Sequence, residues 1–218
     1  MKRLIIIILA LVICIPTVQA RKKSAKSGTI KDNVYTDSEH GFMFTLPENW
    51  VPKLQKQKKD LRLILNQKDF EIPPELMPYP TLTEVPELKV LIIEQPYPAQ
   101  AFVDSIVKYE YSSDAKKEVF KDILALEEKV IFDGLTPDKK MKKKIDEKWG
   151  YQWEGSAHFT KKLGMGDEIP RTHAVGIYAV KNGDKTLVFL LTCENTFFNK
   201  IFKEITTMVD STKWPDKK

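Results

Sequence analysis

The stretch AVGIYAVKNGDKTLVFLLTC, Ala174 to Cys193, consists of two apolar segments joined through Asn182 and Gly183. Asn-Gly between apolar runs signals a hairpin, because a type I′ turn needs positive φ at both central residues and these two tolerate it best. The arms therefore pair antiparallel. Counting outward from that turn sets Ile177 opposite Val188 and Val175 opposite Leu190 on one face, with Tyr178 opposite Leu187 and Gly176 opposite Phe189 on the other. Neither face is polar. Sheets wet on one side alternate apolar with polar residues, so this pair belongs at the centre of a sheet covered from both sides.

Working outward, Asn195 is expected to cap a final helix whose Phe198, Ile201, Phe202, Ile205, Met208 and Val209 form one apolar stripe. Upstream, Tyr151 to Thr160 and Arg171 to Val180 read as strands flanking a loop from Lys161 to Pro170. Nearer the N-terminus, Val34-Tyr35, Phe42 to Leu46, Leu61 to Leu65 and Leu88 to Ile93 are strand candidates rich in residues that suit a pleated, half-buried surface. Trp50 and Val51 bring an aromatic anchor back to the core. Two middle helices are expected. One follows Pro98 with Phe102, Val103, Ile106 and Val107 on one face, and one follows Ser113-Asp114 with Val119, Phe120, Ile123 and Leu124. This order of elements implies an α+β fold, a three-layer α/β/α sandwich around a mostly antiparallel sheet.

Two segments interrupt the pattern. Glu71 to Pro98 holds seven of the thirteen prolines, so Ile72 to Val85 is expected to be an ordered loop or stiff arm, a Pro-rich insertion near 71–86 on which Met77, Tyr79 and Leu82 offer apolar contact area. Pro137 to Lys148 reads PDKKMKKKIDEK, with six lysines in twelve residues, and is expected to be a solvated loop or a short exposed helix.

The N-terminus begins with Lys2 and Arg3, runs apolar from Leu4 to Ile15, and reaches Val18-Gln19-Ala20 before the basic group Arg21-Lys22-Lys23. A positive head, an apolar run of about a dozen residues and compact residues ahead of the break are the pattern of a secretory signal peptide, here residues 1–20. The expected location is therefore periplasmic or extracellular. Losing Lys2 and Arg3 lowers the formal net charge of +5 by two. Cys193 would then be the sole cysteine, which leaves no intramolecular disulfide in the mature chain. Residues 21–32 read as a flexible basic leader, 33–214 as a single domain and 215–218 as a tail.

The string from Tyr35 through Gly41-Phe42-Met43-Phe44-Thr45-Leu46-Pro47-Glu48-Asn49-Trp50 resembles the opening of PsbP-like proteins, which share a fold with the Mog-type Ran-binding proteins. The ending Val209-Asp210-Ser211-Thr212-Lys213-Trp214 is similar to the close of those domains. The resemblance implies an α/β/α sandwich that acts by binding other proteins, in photosystem II for some members and a small GTPase for others. No contact residue of either kind matches here.

The chain contains no phosphate loop, dinucleotide fingerprint, nucleophile elbow, HExxH or CxxC. One scattered constellation can be assembled. A symmetric register about the Lys161–Pro170 loop would set His158 opposite His173, with Glu154 and Ser156 on the same face and Thr192 opposite His173. Two imidazoles and a carboxylate would suit zinc or another transition metal, hence a metal-dependent or hydrolytic enzyme as one alternative. A carrier of a small apolar ligand is another. The leading expectation is an exported, non-enzymatic binding or assembly module with an unknown protein partner in the cell envelope or extracellular space and no cofactor. Its contact surfaces are expected at the Pro-rich arm and the Lys161–Pro170 loop. Lysine runs interspersed with acids argue against nucleic acid. Arg21 to Lys26 and Lys139 to Lys144 allow weak contact with a membrane surface.

Overall fold

The computed structural model describes residues 26–56, 60–71, 85–108, 130–162, 166 and 168–215. A three-stranded sheet comprises β1 (Thr29–Lys31), β2 (Val34–Asp37) and β3 (Phe42–Thr45) in that order. The larger sheet has seven strands: β4 (Trp50–Leu54), β5 (Leu61–Gln67), β6 (Glu87–Glu94), β7 (Val130–Ile145), β8 (Lys148–Lys162), β9 (Glu168–Asn182) and β10 (Lys185–Glu194). Their spatial order is β4-β5-β6-β10-β9-β8-β7, and all its pairings are antiparallel. Helix α1 (Ala99–Lys108) covers one face and helix α2 (Phe198–Asp210) the other, beside the small sheet. The α+β sandwich with a mostly antiparallel sheet is therefore the observed architecture.

The opening hairpin is central, as two apolar faces require. Its odd-numbered side chains Val175, Ile177 and Ala179 pack with Phe102, Val103 and Ile106 of α1. Ala174, Tyr178 and Val180 pack with Ile201, Ile205, Met208 and Val209 of α2 and with Phe42 and Phe44 of the small sheet. Full burial of each such aliphatic side chain contributes about 1.5–3 kcal/mol, so the docking of α2 is a large share of the core energy. The turn differs by one position from expectation. Asn182 pairs with Lys185, leaving Gly183-Asp184 as the loop, with Gly183 at φ +67°. Ile177 thus faces Leu190, Tyr178 faces Phe189 and Val175 faces Thr192. Because each partner moves by two residues, every side chain keeps its face.

Three further expectations change. Pro137 to Lys148 is neither loop nor helix but mostly strand, the outer half of the β7–β8 hairpin, which turns at Asp146-Glu147. Lysines and a proline suit a sheet edge, where they discourage pairing with other chains, and bulges at Phe132/Gly134 and Pro137/Lys139 accommodate the irregular positions. The basic leader gives way to structure earlier than Lys31, since Thr29–Lys31 pairs with Val34–Thr36 through an Asp32-Asn33 turn with both residues at positive φ. Asn195 starts a 3-10 turn, Asn195–Phe197, and makes no side-chain cap to α2, whose N-cap is Phe197. The helix expected after Ser113-Asp114 and residues 72–84 of the Pro-rich insertion lie outside the described residues.

Candidate functional site

The motif that ends at Trp50 builds one wall of a groove. Gly41, at φ +67°, turns the chain from β2 into β3. Alternation then buries Phe42, Phe44 and Leu46, and Phe44 meets Phe189 of the central hairpin edge-on at 5.4 Å. Pro47 ends the strand, and the chain returns to the core at the buried Trp50. The opposite wall is α2 with its C-cap Ser211; Glu204, Thr207, Met208 and Ser211 stand at the i, i+3, i+4, i+7 spacing of one helical face. Thr45, Leu46, Pro47, Glu48 and Asn49 line the other side, enclosing a groove of about 540 Å³. That volume lies within the range of about 300–1,000 Å³ usual for binding sites.

Fixed hydrogen bonds hold the walls together. The Trp50 indole N–H donates to Glu204 Oε2 at 3.1 Å, and the Thr45 N–H donates to Ser211 Oγ at 2.9 Å. Below them, Met43 and Lys213 exchange backbone hydrogen bonds at 2.9 and 2.8 Å. Asn33 donates its side-chain amide to the Leu46 carbonyl at 2.6 Å, bracing the strand exit from behind. Buried Leu46 and Met208 floor the groove and half-buried Pro47 gives it apolar surface, while Glu48 and Glu204 supply two carboxylates and Thr45, Asn49 and Thr207 neutral polar groups. Such a lining complements a cationic side chain set beside an apolar one.

A second constellation, not foreseen from the sequence, ties the two sheets together. Arg62 occupies the bulge of β5, where Leu61 pairs with Leu91 but Leu63 with Val90. Its Nε donates to Asp37 Oδ2 and one Nη to Glu39 Oε2, both at 2.8 Å, and the same Nη donates to the Ser27 carbonyl at 3.0 Å. Asp37 also accepts from the Tyr35 hydroxyl at 3.2 Å and from the backbone N–H groups of Glu39 and His40 at 3.1 Å. Asp37, Glu39 and His40 bring donor atoms within 4.8 Å of one another, a spacing suited to a cation. The guanidinium already supplies the positive charge there, so the cluster is a structural clamp. The hydrogen bond from Arg62 holds the exposed Glu39 carboxyl below its ordinary range, and burial pushes the His40 imidazole down.

The histidine constellation does not assemble. His173 lies opposite Ala157, and His158 lies opposite Thr172, one residue away from the expected register. Successive side chains alternate, so this odd shift puts the two imidazoles on opposite faces of the sheet. His158 contacts Thr136 Oγ1 at 3.0 Å and Thr172 Oγ1 at 3.1 Å. Glu154, on that face, accepts from Gln152 at 2.5 Å and pairs with Lys139 at 3.7 Å. His173 is buried on the other side, edge-on to Phe159 at 4.6 Å, and faces Glu194 where Thr192 was expected, with Nε2 3.4 Å from Oε1. Arg171 joins the same Glu194 carboxylate. Burial alone would raise the Glu194 pKa, but His173 and Arg171 outweigh it and hold the carboxyl below its ordinary range. This is an ion-paired cluster at strand ends. Met77, Tyr79 and Leu82 lie outside the described residues, and the Lys161–Pro170 loop is shortened by strands that reach Lys162 and begin again at Glu168.

No protein-family model matches the chain. No curated protein matches it either. Among solved structures it is similar to cyanobacterial PsbP from Synechocystis sp. PCC 6803, at 14% identity over 83% of this chain and 91% of that one, TM-score 0.48. The likeness is one of fold. The Ran-binding protein Mog1p of Saccharomyces cerevisiae is similar at 8% identity, covering 86% of this chain and 97% of that one with a TM-score of 0.45. LpqN of Mycobacterium tuberculosis, described as involved in cell envelope biogenesis, is similar at 8% identity over 79% and 82% of the two chains, TM-score 0.43.

Proposed function

We propose that the protein is a non-enzymatic binding module that holds a segment of a protein partner in the groove between residues 45–49 and α2. The observation that carries this reading is the hydrogen-bonded pairing of the two walls, Trp50 to Glu204 and Thr45 to Ser211, around a space lined by apolar and acidic groups. A groove already braced by its own scaffold loses little conformational freedom on binding, so more of the contact energy appears as affinity. The matching partner chemistry is a Lys or Arg flanked by an apolar residue. Its cation would meet Glu48 and Glu204, and its apolar neighbour would pack on Pro47 above the buried Leu46 and Met208.

The N-terminal pattern from Lys2 to Ala20 supports an exported chain, which places the partner in the cell envelope or outside the cell. The Pro-rich arm carrying Met77, Tyr79 and Leu82 is a second contact surface in this reading. Deleting Pro74 to Thr83 is then expected to weaken partner capture without abolishing it. The groove itself is tested by Thr207→Trp, which fills it from an exposed position on α2, against Lys200→Trp, which sits outside it. Capture of the partner from the native envelope or secreted fraction should fail with the first variant and persist with the second. Equal capture by both, with unfolding midpoints unchanged, would refute the groove as the site.

A further inference from the structure

We propose that the outer half of the β7–β8 hairpin is a docking face for an anionic lipid bilayer. Register pairs Lys140 with Trp153, Lys142 with Tyr151 and Lys144 with Trp149. Residues directly opposite one another across an antiparallel pair share a face, so three lysines and three aromatics lie on the α1 side of the sheet. Burial divides the aromatics. Trp153 and Tyr151 pack in the core under α1, whereas Trp149 is 67% exposed.

The charges divide in the same way. On the α2 side, Lys139 pairs with Glu154 at 3.7 Å and Lys143 with Asp210 at 2.8 Å. On the α1 side, Lys144 meets Glu147 at 2.5 Å, while the exposed Lys140 and Lys142 form no ion pair among the described residues. Alternate residues on a strand stand about 6.6 Å apart, so the uncompensated cations form a short row leading to the exposed indole. Protection of a sheet edge explains lysines but not a solvent-facing Trp beside them. Indole rings prefer the headgroup level of a bilayer, and lysine stems lie along apolar surface while their ammonium groups reach phosphate. Single-stranded nucleic acid calls instead for several exposed rings on which successive bases stack, and among the described residues the outer half of this hairpin exposes one, Trp149.

The test is co-sedimentation of the intact protein with vesicles of phosphatidylcholine, with and without phosphatidylglycerol. The basic Arg21–Lys26 segment contributes equally to every variant, so the ratio of variant to parent isolates the hairpin. Lys140→Gln with Lys142→Gln should lower partitioning to the anionic vesicles about 30-fold, the equivalent of about 2 kcal/mol at about 1 kcal/mol per lysine near such a surface. Trp149→Ala should lower it several-fold, and Lys200→Gln with Lys203→Gln on α2 should leave it unchanged. Partitioning to phosphatidylcholine alone should not move in the lysine variants. The proposal is overturned if the two lysine pairs have equal effects, if no variant changes partitioning, or if the Lys140/Lys142 pair governs retention on a single-stranded oligonucleotide but not on the vesicles. Circular dichroism of each variant must match the parent, so that loss of binding is not loss of fold.

Discussion

Truncating Asp37 to alanine should unfold the protein more readily than any other single change in the clamp. Asp37 and Arg62 side chains are 0% and 2% exposed, and the carboxylate accepts four hydrogen bonds, from Arg62, Tyr35 and the Glu39 and His40 amides. Breaking one side of a buried ion pair costs about 3–5 kcal/mol, because the surviving charge keeps its desolvation cost without its partner. Glu39 would still hold Arg62 at 2.8 Å, but it is 39% exposed and screened by water, which places the expected loss near the lower end, about 3 kcal/mol. With a urea dependence of about 2 kcal/mol per molar, the midpoint should fall by about 1.5 M. The joint replacement Arg62→Met with Asp37→Leu removes both charges and should recover most of that loss, since apolar isosteres of a buried pair are often as stable. A cost of less than about 1 kcal/mol for Asp37→Ala, or an Arg62→Met change as costly in the Asp37→Leu background as in the parent, would mean that the two groups are not coupled.

Gly155→Ala should lose about 1–3 kcal/mol in thermal or urea unfolding, because its Cβ would lie 2.2 Å from the Thr136 carbonyl oxygen and 2.6 Å from the Trp153 ring. The Trp214 backbone N–H, at 2.7 Å, and the Lys213 ammonium hold the Asp146 carboxyl below its ordinary range. Its contribution is therefore present above the ordinary carboxylate pKa of about 4 and is lost as pH falls through the folded-state value. The stability gap between parent and Asp146→Asn should accordingly be constant near neutrality and close in acid, which urea denaturation across pH would show. Burial pushes the Cys193 thiol up to about 12, so peptide mapping after treatment with a thiol reagent should find Cys193 unmodified in the native protein and modified in urea.

The centre of the sheet was legible because apolar residues on both faces of a hairpin leave it few alternatives. Misplacing its turn by one residue shifted pairs by two, which is harmless to side-chain facing. The β8–β9 hairpin was less forgiving. Its register slipped by one relative to a symmetric loop, and that odd step alone separated His158 from His173. Composition misled at β7, where lysines mark an edge strand that draws its order from pairing with β8 rather than from burying its own side chains. Arg62 offered a faint signal, a charge inside an apolar strand. Its partners Asp37 and Glu39 lie 25 and 23 residues away, and only the bulge turns it toward them. The groove was half visible, since the Leu46-Pro47-Glu48-Asn49-Trp50 string could be recognised but the helix face that completes it could not.

Photo-crosslinking from position 207 tests most directly whether the groove holds a partner segment. A photoreactive amino acid there points into the groove from α2, and the same group at Lys200 provides the comparison outside it. In cells that produce the native partner, position 207 should yield one discrete adduct, mapping to a segment with Lys or Arg beside an apolar residue, and position 200 none. An absence of adduct at 207, or the same adducts from both positions, would contradict the groove as the site.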